Sequence, residues 1–177
     1  MLLEKLDEAR VFALADLTIV IGIMLVLWVL AAMVSVVAER RLGWRGLQAG
    51  ITATVLLQGL AAVLSLTSHW PTLTIVGVTL GILFGGWFAE YLGISTELPF
   101  GSYEYTSRLQ PQVCGIPVLV AVAYVGVLLP AWGIAALLVG NSRGLDFVII
   151  SAVAATAWDL FLDPQLVSWG VWRWHKR

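Results

Sequence analysis

Apolar and polar positions along the chain divide it into five long apolar runs punctuated by short polar clusters. A helix that crosses the lipid hydrocarbon needs about 20 mostly apolar residues, and each run is close to that length. The first extends from near Leu14 to Ala38 and stops at Glu39-Arg40-Arg41. The second covers Leu47 to about Thr67 and ends at Ser68-His69-Trp70-Pro71. Pro71 suits the first turn of a third helix, from Thr72 to about Tyr91. The long polar segment Gly93 to Gly115 follows, then a fourth run, Ile116 to Val139, in which Pro130 predicts a kink. Asn141-Ser142-Arg143-Gly144 makes a tight turn into the fifth run, Leu145 to about Leu162. The tail from Pro164 to Arg177 is rich in Trp and basic residues, as suits a segment lying on the membrane interface. The expected fold is all-α: a polytopic membrane helix bundle of about five transmembrane helices, with an aromatic-rich 93–115 loop and an interfacial C-terminal segment. It reads as a single integral membrane domain over residues 1–177, without internal repeats or low-complexity segments.

Composition supports the membrane reading and narrows the chemistry. Of 177 residues 60% are hydrophobic and 12% charged, about half the charged share of a soluble domain, which is roughly 25%. A net charge of −1 offers no basic face for nucleic acid. The single cysteine, Cys114, excludes an internal disulfide, and two distant histidines, His69 and His175, do not make a histidine metal centre. The first run is far longer than the roughly 7–15 residues of a signal-peptide core, and Glu4, Asp7 and Glu8 precede it, so a retained first span is expected. One set of loops holds Arg40, Arg41, Arg45, Arg108, Arg173, Lys176 and Arg177, against Lys5, Arg10 and Arg143 in the other. That asymmetry predicts a multi-pass protein of the cytoplasmic membrane, with its N-terminus outside and both the 93–115 loop and the C-terminus inside.

Acidic groups at membrane depth are costly and are read first as functional. Asp16 opens the first span, where an interfacial position is cheap, and reads as structural. Glu90 ends the third span beside Gly85, Gly86 and Gly93, small residues that allow close helix approach; it is either an interfacial carboxylate or part of a site. The loop Pro99-Phe100-Gly101-Ser102-Tyr103-Glu104-Tyr105 embeds a carboxylate among rings. It is either a headgroup-level aromatic belt or a floor presenting rings and a carboxylate to a lipid-phase substrate. In Trp158-Asp159-Leu160-Phe161-Leu162-Asp163-Pro164, residues 159 and 163 share a helix face if the helix is continuous. Alternatively Asp163 is an N-cap with Pro164 opening a short new helix. Asp159 has no such structural duty. A protonated carboxylic acid in a ring-lined apolar pocket suits a general acid. Protonating a carbon–carbon double bond gives a carbocation that aromatic faces stabilise; water capture then gives an alcohol, and proton loss an isomer or a cyclised product. Such chemistry calls for no cofactor, and the chain carries neither a Walker-type loop nor a G-x-G-x-x-G motif.

The ordered set Glu90-Tyr91-Leu92-Gly93, Phe100-Gly101-Ser102-Tyr103-Glu104-Tyr105, Gly115-Ile116-Pro117, Trp158-Asp159-Leu160, Asp163-Pro164 and Trp172-Arg173-Trp174 resembles the integral-membrane carotenoid-biosynthesis proteins. These include the 1′,2′-hydratases of γ-carotene and bisanhydrobacterioruberin. The resemblance runs from about Phe88 to Trp174. It implies cofactor-free hydration of the ψ end of a C40 or C50 carotenoid to a tertiary alcohol. On that reading Asp159 donates the proton to C2′, Glu90 or Glu104 orients or deprotonates water, and Asp163 belongs to the same acidic set. Tyr103, Tyr105 and Trp158 would line the cation, with Trp87, Phe100 and Trp172 as further substrate contacts. Family chains continue past the Trp-x-Trp segment, so this one is expected to be short at its C-terminus: a fragment, a truncated homologue, or a subunit needing a partner. The expected partners are the lipid-phase carotenoid, membrane lipids, and a second copy or partner subunit.

Three other readings compete. A lycopene-cyclase-like reaction uses the same proton and cation. A membrane prenyltransferase would use Asp159 and Asp163 for a magnesium-diphosphate site, but it wants a second acidic motif and more basic residues. A non-catalytic carotenoid-binding or assembly subunit would use the acids as caps and anchors. Channels and transporters fit poorly, because the two halves show no repeat.

Overall fold

The computed structural model describes residues 2–99, 101–140 and 144–175, with side chains from residue 14 onward. Five helices dominate: α1 (Leu2–Leu42), α2 (Trp44–Leu66), α3 (Thr72–Thr96), α4 (Val118–Val139) and α5 (Leu145–Ser168). All five are long and apolar enough to cross a membrane, α1 through its segment Leu14–Leu42. The fold is therefore nearly all-α, and the protein is a multi-pass membrane protein by the length and composition of its helices.

The chain folds as two compact units, residues 1–76 and 77–177, and α3 passes from one to the other. In the first, Gly43 at φ 61° breaks the chain between α1 and α2. The two helices then pack closely through small residues. A Cβ on Gly46 would strike the backbone of Ala38, and one on Gly50 would overlap the Ser35 side chain. Without water to drive association, such close backbone approach is what holds helices together in lipid.

In the second unit, α4 packs on α5, and the polar segment before α4 folds into short strands. Gln112–Val113 (β2) pairs antiparallel with Ile116–Pro117 (β3) across Cys114 and Gly115, at φ 53° and 82°. Two consecutive positive φ values are the signature of the tight hairpin turn that matches strand twist. The expected start of the fourth helix at Ile116 is thus corrected to Val118: Pro117 is extended (φ −62°, ψ 131°) and Ile116 lies in β3, in keeping with the bias of a pre-proline residue against the helical region.

Of the two readings of Asp163, the continuous helix holds, and the end expected near Leu162 is corrected. Helix α5 continues through Pro164 to Ser168, so Asp163 is a helical residue and not an N-cap. A proline in a membrane helix is tolerated where the freed backbone group finds other partners. The true end comes at Gly170, φ 66°. There the Gly170 N–H donates to Val167 and the Val171 N–H to Leu166, each at 2.9 Å, a Schellman stop with fully buried Val171 as its hydrophobic contact. The reversal sends Trp172–Trp174 (β4) back along Tyr103–Tyr105 (β1), with Tyr103 opposite Trp174, Glu104 opposite Arg173 and Tyr105 opposite Trp172. The Thr106 hydroxyl donates to the Gly170 carbonyl at 2.7 Å, and Arg108 to that of Trp169 at 2.7 Å. The sheet joins the loop before α4 to the tail after α5, so both lie on one side of a membrane that α4 and α5 each cross.

Candidate functional site

The candidate site lies wholly in the second unit, under the β1–β4 sheet and between α3, α4 and α5. It is a cavity of about 240 Å³ whose polar lining includes Glu90, Asp159 and Asp163. Its apolar walls include Val120, Ala123 and Val127 of α4 and Leu162 and Leu166 of α5, and rings from the sheet roof it. Glu90 is six residues from the end of α3 and Tyr124 six from the start of α4. At about 1.5 Å per residue, both sit roughly 9 Å inside their helices.

Three phenols converge on one carboxylate. The hydroxyls of Tyr103 and Tyr105 both donate to Glu90 Oε2 at 3.0 Å, and that of Tyr124 donates to Oε1 at 2.9 Å. Helix α3 is cleared for them. A Cβ on Gly86 would come within 2.6 Å of the Tyr124 ring, and one on Gly93 within 2.6 Å of the Tyr103 hydroxyl. Positions 86, 90 and 93 share one helix face, so the two glycines flank the glutamate on the side the rings approach. Burial first, and then the charge and hydrogen bond of Glu90, push both the Tyr103 and Tyr105 phenols above the ordinary range. They therefore stay neutral and donate.

Strand alternation explains which side chains face the cavity. Tyr103 and Tyr105 point inward with Trp172 and Trp174, all four lining it. Their rings interlock edge to face, Tyr103 lying 5.7 Å from Trp172 and 5.9 Å from Trp174. Glu104 and Arg173 point the other way. Arg173 Nε donates to Glu104 Oε1 at 2.7 Å, and His175 Nε2 lies 3.3 Å from Oε2. The hydrogen bond from Arg173 is the main reason the Glu104 carboxyl is held below the usual range.

The expected site residues therefore separate. Asp159, Asp163, Glu90, Tyr103, Tyr105 and Trp172 line one cavity. The two aspartates stand one turn apart on α5, accessible at its edge, and neither has a hydrogen-bond partner among the described residues. The expectation that Asp159 sits in an apolar pocket beside Trp158 is thus modified: the Trp158 ring lies against Phe161 at 6.4 Å and is not part of the lining. Glu104, expected as a candidate catalytic residue, lies outside this cavity lining and pairs with Arg173 as the outer clasp of the sheet. Trp87, expected as a substrate contact, is likewise outside the lining; its indole donates to the Val113 carbonyl at 3.2 Å and stacks on Tyr91, tying the β2–β3 hairpin to α3. Phe100 falls outside the described residues.

Two aromatic residues of the lining, Tyr124 and Trp174, were not among the expected site residues. The signal for Tyr124 was a lone hydroxyl inside an apolar span, which must find a polar partner in lipid. Trp174 follows from Trp172 once the tail is a strand, since alternate residues share a face.

No curated protein and no solved structure matches this chain. A family model described as "Carotenoid biosynthesis protein" matches residues 50–177, which covers α3, the sheet and every residue of the cavity. The chain belongs to the carotenoid biosynthesis protein family.

Proposed function

We propose that the protein hydrates the terminal 1′,2′ double bond of a C40 or C50 carotenoid at its ψ end. The observation that carries this reading is the joining of Glu90, Asp159 and Asp163 with five aromatic rings in one cavity. An acid must reach the olefin, rings must face the cation, and a base must meet the water; the lining offers a residue for each. The Asp159 carboxyl gives its proton to C2′, and the π pair forms the new C–H bond. Positive charge develops at C1′, amid the rings of Tyr103, Tyr105, Trp172 and Trp174, whose faces would stabilise it. Water forms the C1′–O bond and Glu90 takes its proton. The proton returns from Glu90 to Asp159 across the same cavity, so one water is added and the protein is unchanged. Asp163, one turn from Asp159, keeps a second carboxyl beside the donor.

The cavity is smaller than the roughly 300–1,000 Å³ that enclose a drug-sized ligand. It suits one end of a long polyene whose remainder stays in the lipid, which fits an end-group reaction. The reaction calls for no metal, nucleotide or redox cofactor. The 93–115 loop and the C-terminus face the cytoplasm in this reading, following the asymmetry of Lys and Arg.

The test is expression in cells that accumulate lycopene, γ-carotene or an anhydro-bacterioruberin precursor, followed by chromatography and mass measurement. A product heavier by one water is expected, and Asp159→Asn should abolish it while leaving pigment binding intact. Altered retention at unchanged mass would replace hydration with cyclisation or isomerisation. Equal conversion by Asp159→Asn would remove Asp159 as the proton donor.

A further inference from the structure

An ionised carboxyl accepts hydrogen bonds at about four lone-pair positions, two on each oxygen. Tyr103 and Tyr105 occupy both positions of Glu90 Oε2, and Tyr124 occupies one of Oε1. Among the described residues these are its hydrogen-bond partners, which leaves one acceptor direction, on Oε1. We propose that Tyr103, Tyr105 and Tyr124 are positioning residues that restrict Glu90 to a single O–H donor, one water, and so select hydration over proton loss. The inference rests on the hydratase reading above.

A tertiary cation at C1′ has two exits. A base can remove a proton from a neighbouring carbon, whose C–H pair becomes a new double bond, giving an isomer of unchanged mass. Alternatively water adds its lone pair to C1′ while the base takes one of its protons, giving the alcohol. The acid step is common to both, so the choice depends on what the base can reach. A carboxylate free to turn offers lone pairs in several directions, towards carbon as well as towards water. Glu90 is fixed at both oxygens by donors from two different elements, β1 and α4, and its remaining direction is single.

The fit of the backbone supports the cradle itself. Gly86 and Gly93 give the Tyr124 ring and Tyr103 hydroxyl room that any side chain would fill. Neutral phenols are required for the arrangement, and burial keeps Tyr103 and Tyr105 protonated.

The experiment compares wild type, Tyr124→Phe and Tyr105→Phe in carotenoid-accumulating cells, reading the ratio of hydrated product to unchanged-mass isomer at equal protein per membrane. Losing one hydrogen bond to a charged group should lower that ratio about tenfold or more, with substrate consumption falling less. A merely structural role would lower consumption and leave the ratio alone. If Tyr124→Phe and wild type hydrate with the same ratio, the selection inference fails and the hydratase reading stands. If wild type yields no hydrated product, the hydratase reading fails and the selection with it. Infrared difference spectra of detergent-solubilised wild type minus Glu90→Gln judge the cradle without turnover. An ionised-carboxylate band at neutral pH that moves in Tyr124→Phe is expected. A protonated-carboxyl band, or one that does not move, overturns the cradle.

Discussion

Glu90 and Glu104 carry the same side chain, and what surrounds each separates their work. Glu90 receives three phenol protons inside the cavity, whereas Glu104 receives Arg173 on the outer face of the sheet. The outer pairing has a pH signature. Arg173 holds the Glu104 carboxyl below its ordinary value, so the clasp contributes above the unfolded value, about 4.3, and is lost as pH falls through the folded one. Trp172 and Trp174 ride on the same strand, so tryptophan emission of the solubilised protein should change on acidification below about pH 4. Glu104→Gln should show the acid-like emission already at neutral pH and lose most of the acid change. An unaltered titration in that variant would mean the clasp does not hold the strand. At this scale the sequence exposed the acids, since a carboxyl in an apolar run is conspicuous. It could not pair them, because Tyr124 lies 34 positions from Glu90 and nothing local links the two.

Among the elements, α3 shows how a helix can be shaped for its neighbours by what it lacks. Gly85 and Gly86 are adjacent, yet a Cβ on Gly85 meets nothing within 4 Å while one on Gly86 runs into Tyr124. Gly86→Ala should therefore destabilise by about 1–3 kcal/mol, the usual cost of overpacking, and should displace Tyr124 from Glu90. Gly85→Ala should be neutral or slightly stabilising, since alanine is the better helix former. Thermal unfolding in detergent, measured with product yield for both variants, checks this; equal loss in both would refute the fit at Gly86. The five apolar helices were legible because length and hydrophobicity alone define a span. The end of α5 was not, because Asp163-Pro164 reads as a helix start in water, while in a membrane helix the proline is absorbed. The strands were hidden for another reason. Three-residue strands have no periodicity to read, and β1 and β4 are partners only after two intervening helices have brought them together.

On the scale of the whole molecule, the family match and the site both fall in the part of the chain that contains the second unit. The side of the membrane that the sheet occupies can be read with a native probe. Cys114 is exposed in the β2–β3 turn and is the single cysteine of the sequence. With the proposed orientation, a membrane-impermeant thiol reagent should leave Cys114 unlabelled in intact cells and label it after permeabilisation. Labelling in intact cells would invert the topology.

Pairing of β1 with β4 also ties chemistry to biogenesis. Strand β4 can meet β1 only in a molecule whose fourth and fifth helices have both been threaded through the bilayer. If either fails to insert, the two strands are stranded on opposite faces, the aromatic roof is never built, and Glu90 loses at least two of its three phenols. On the proposed mechanism, a misinserted molecule would be silent and not a source of stray carbocations. The sheet, six residues in all, makes correct threading a precondition for closing the cavity, and with it for the proposed reaction.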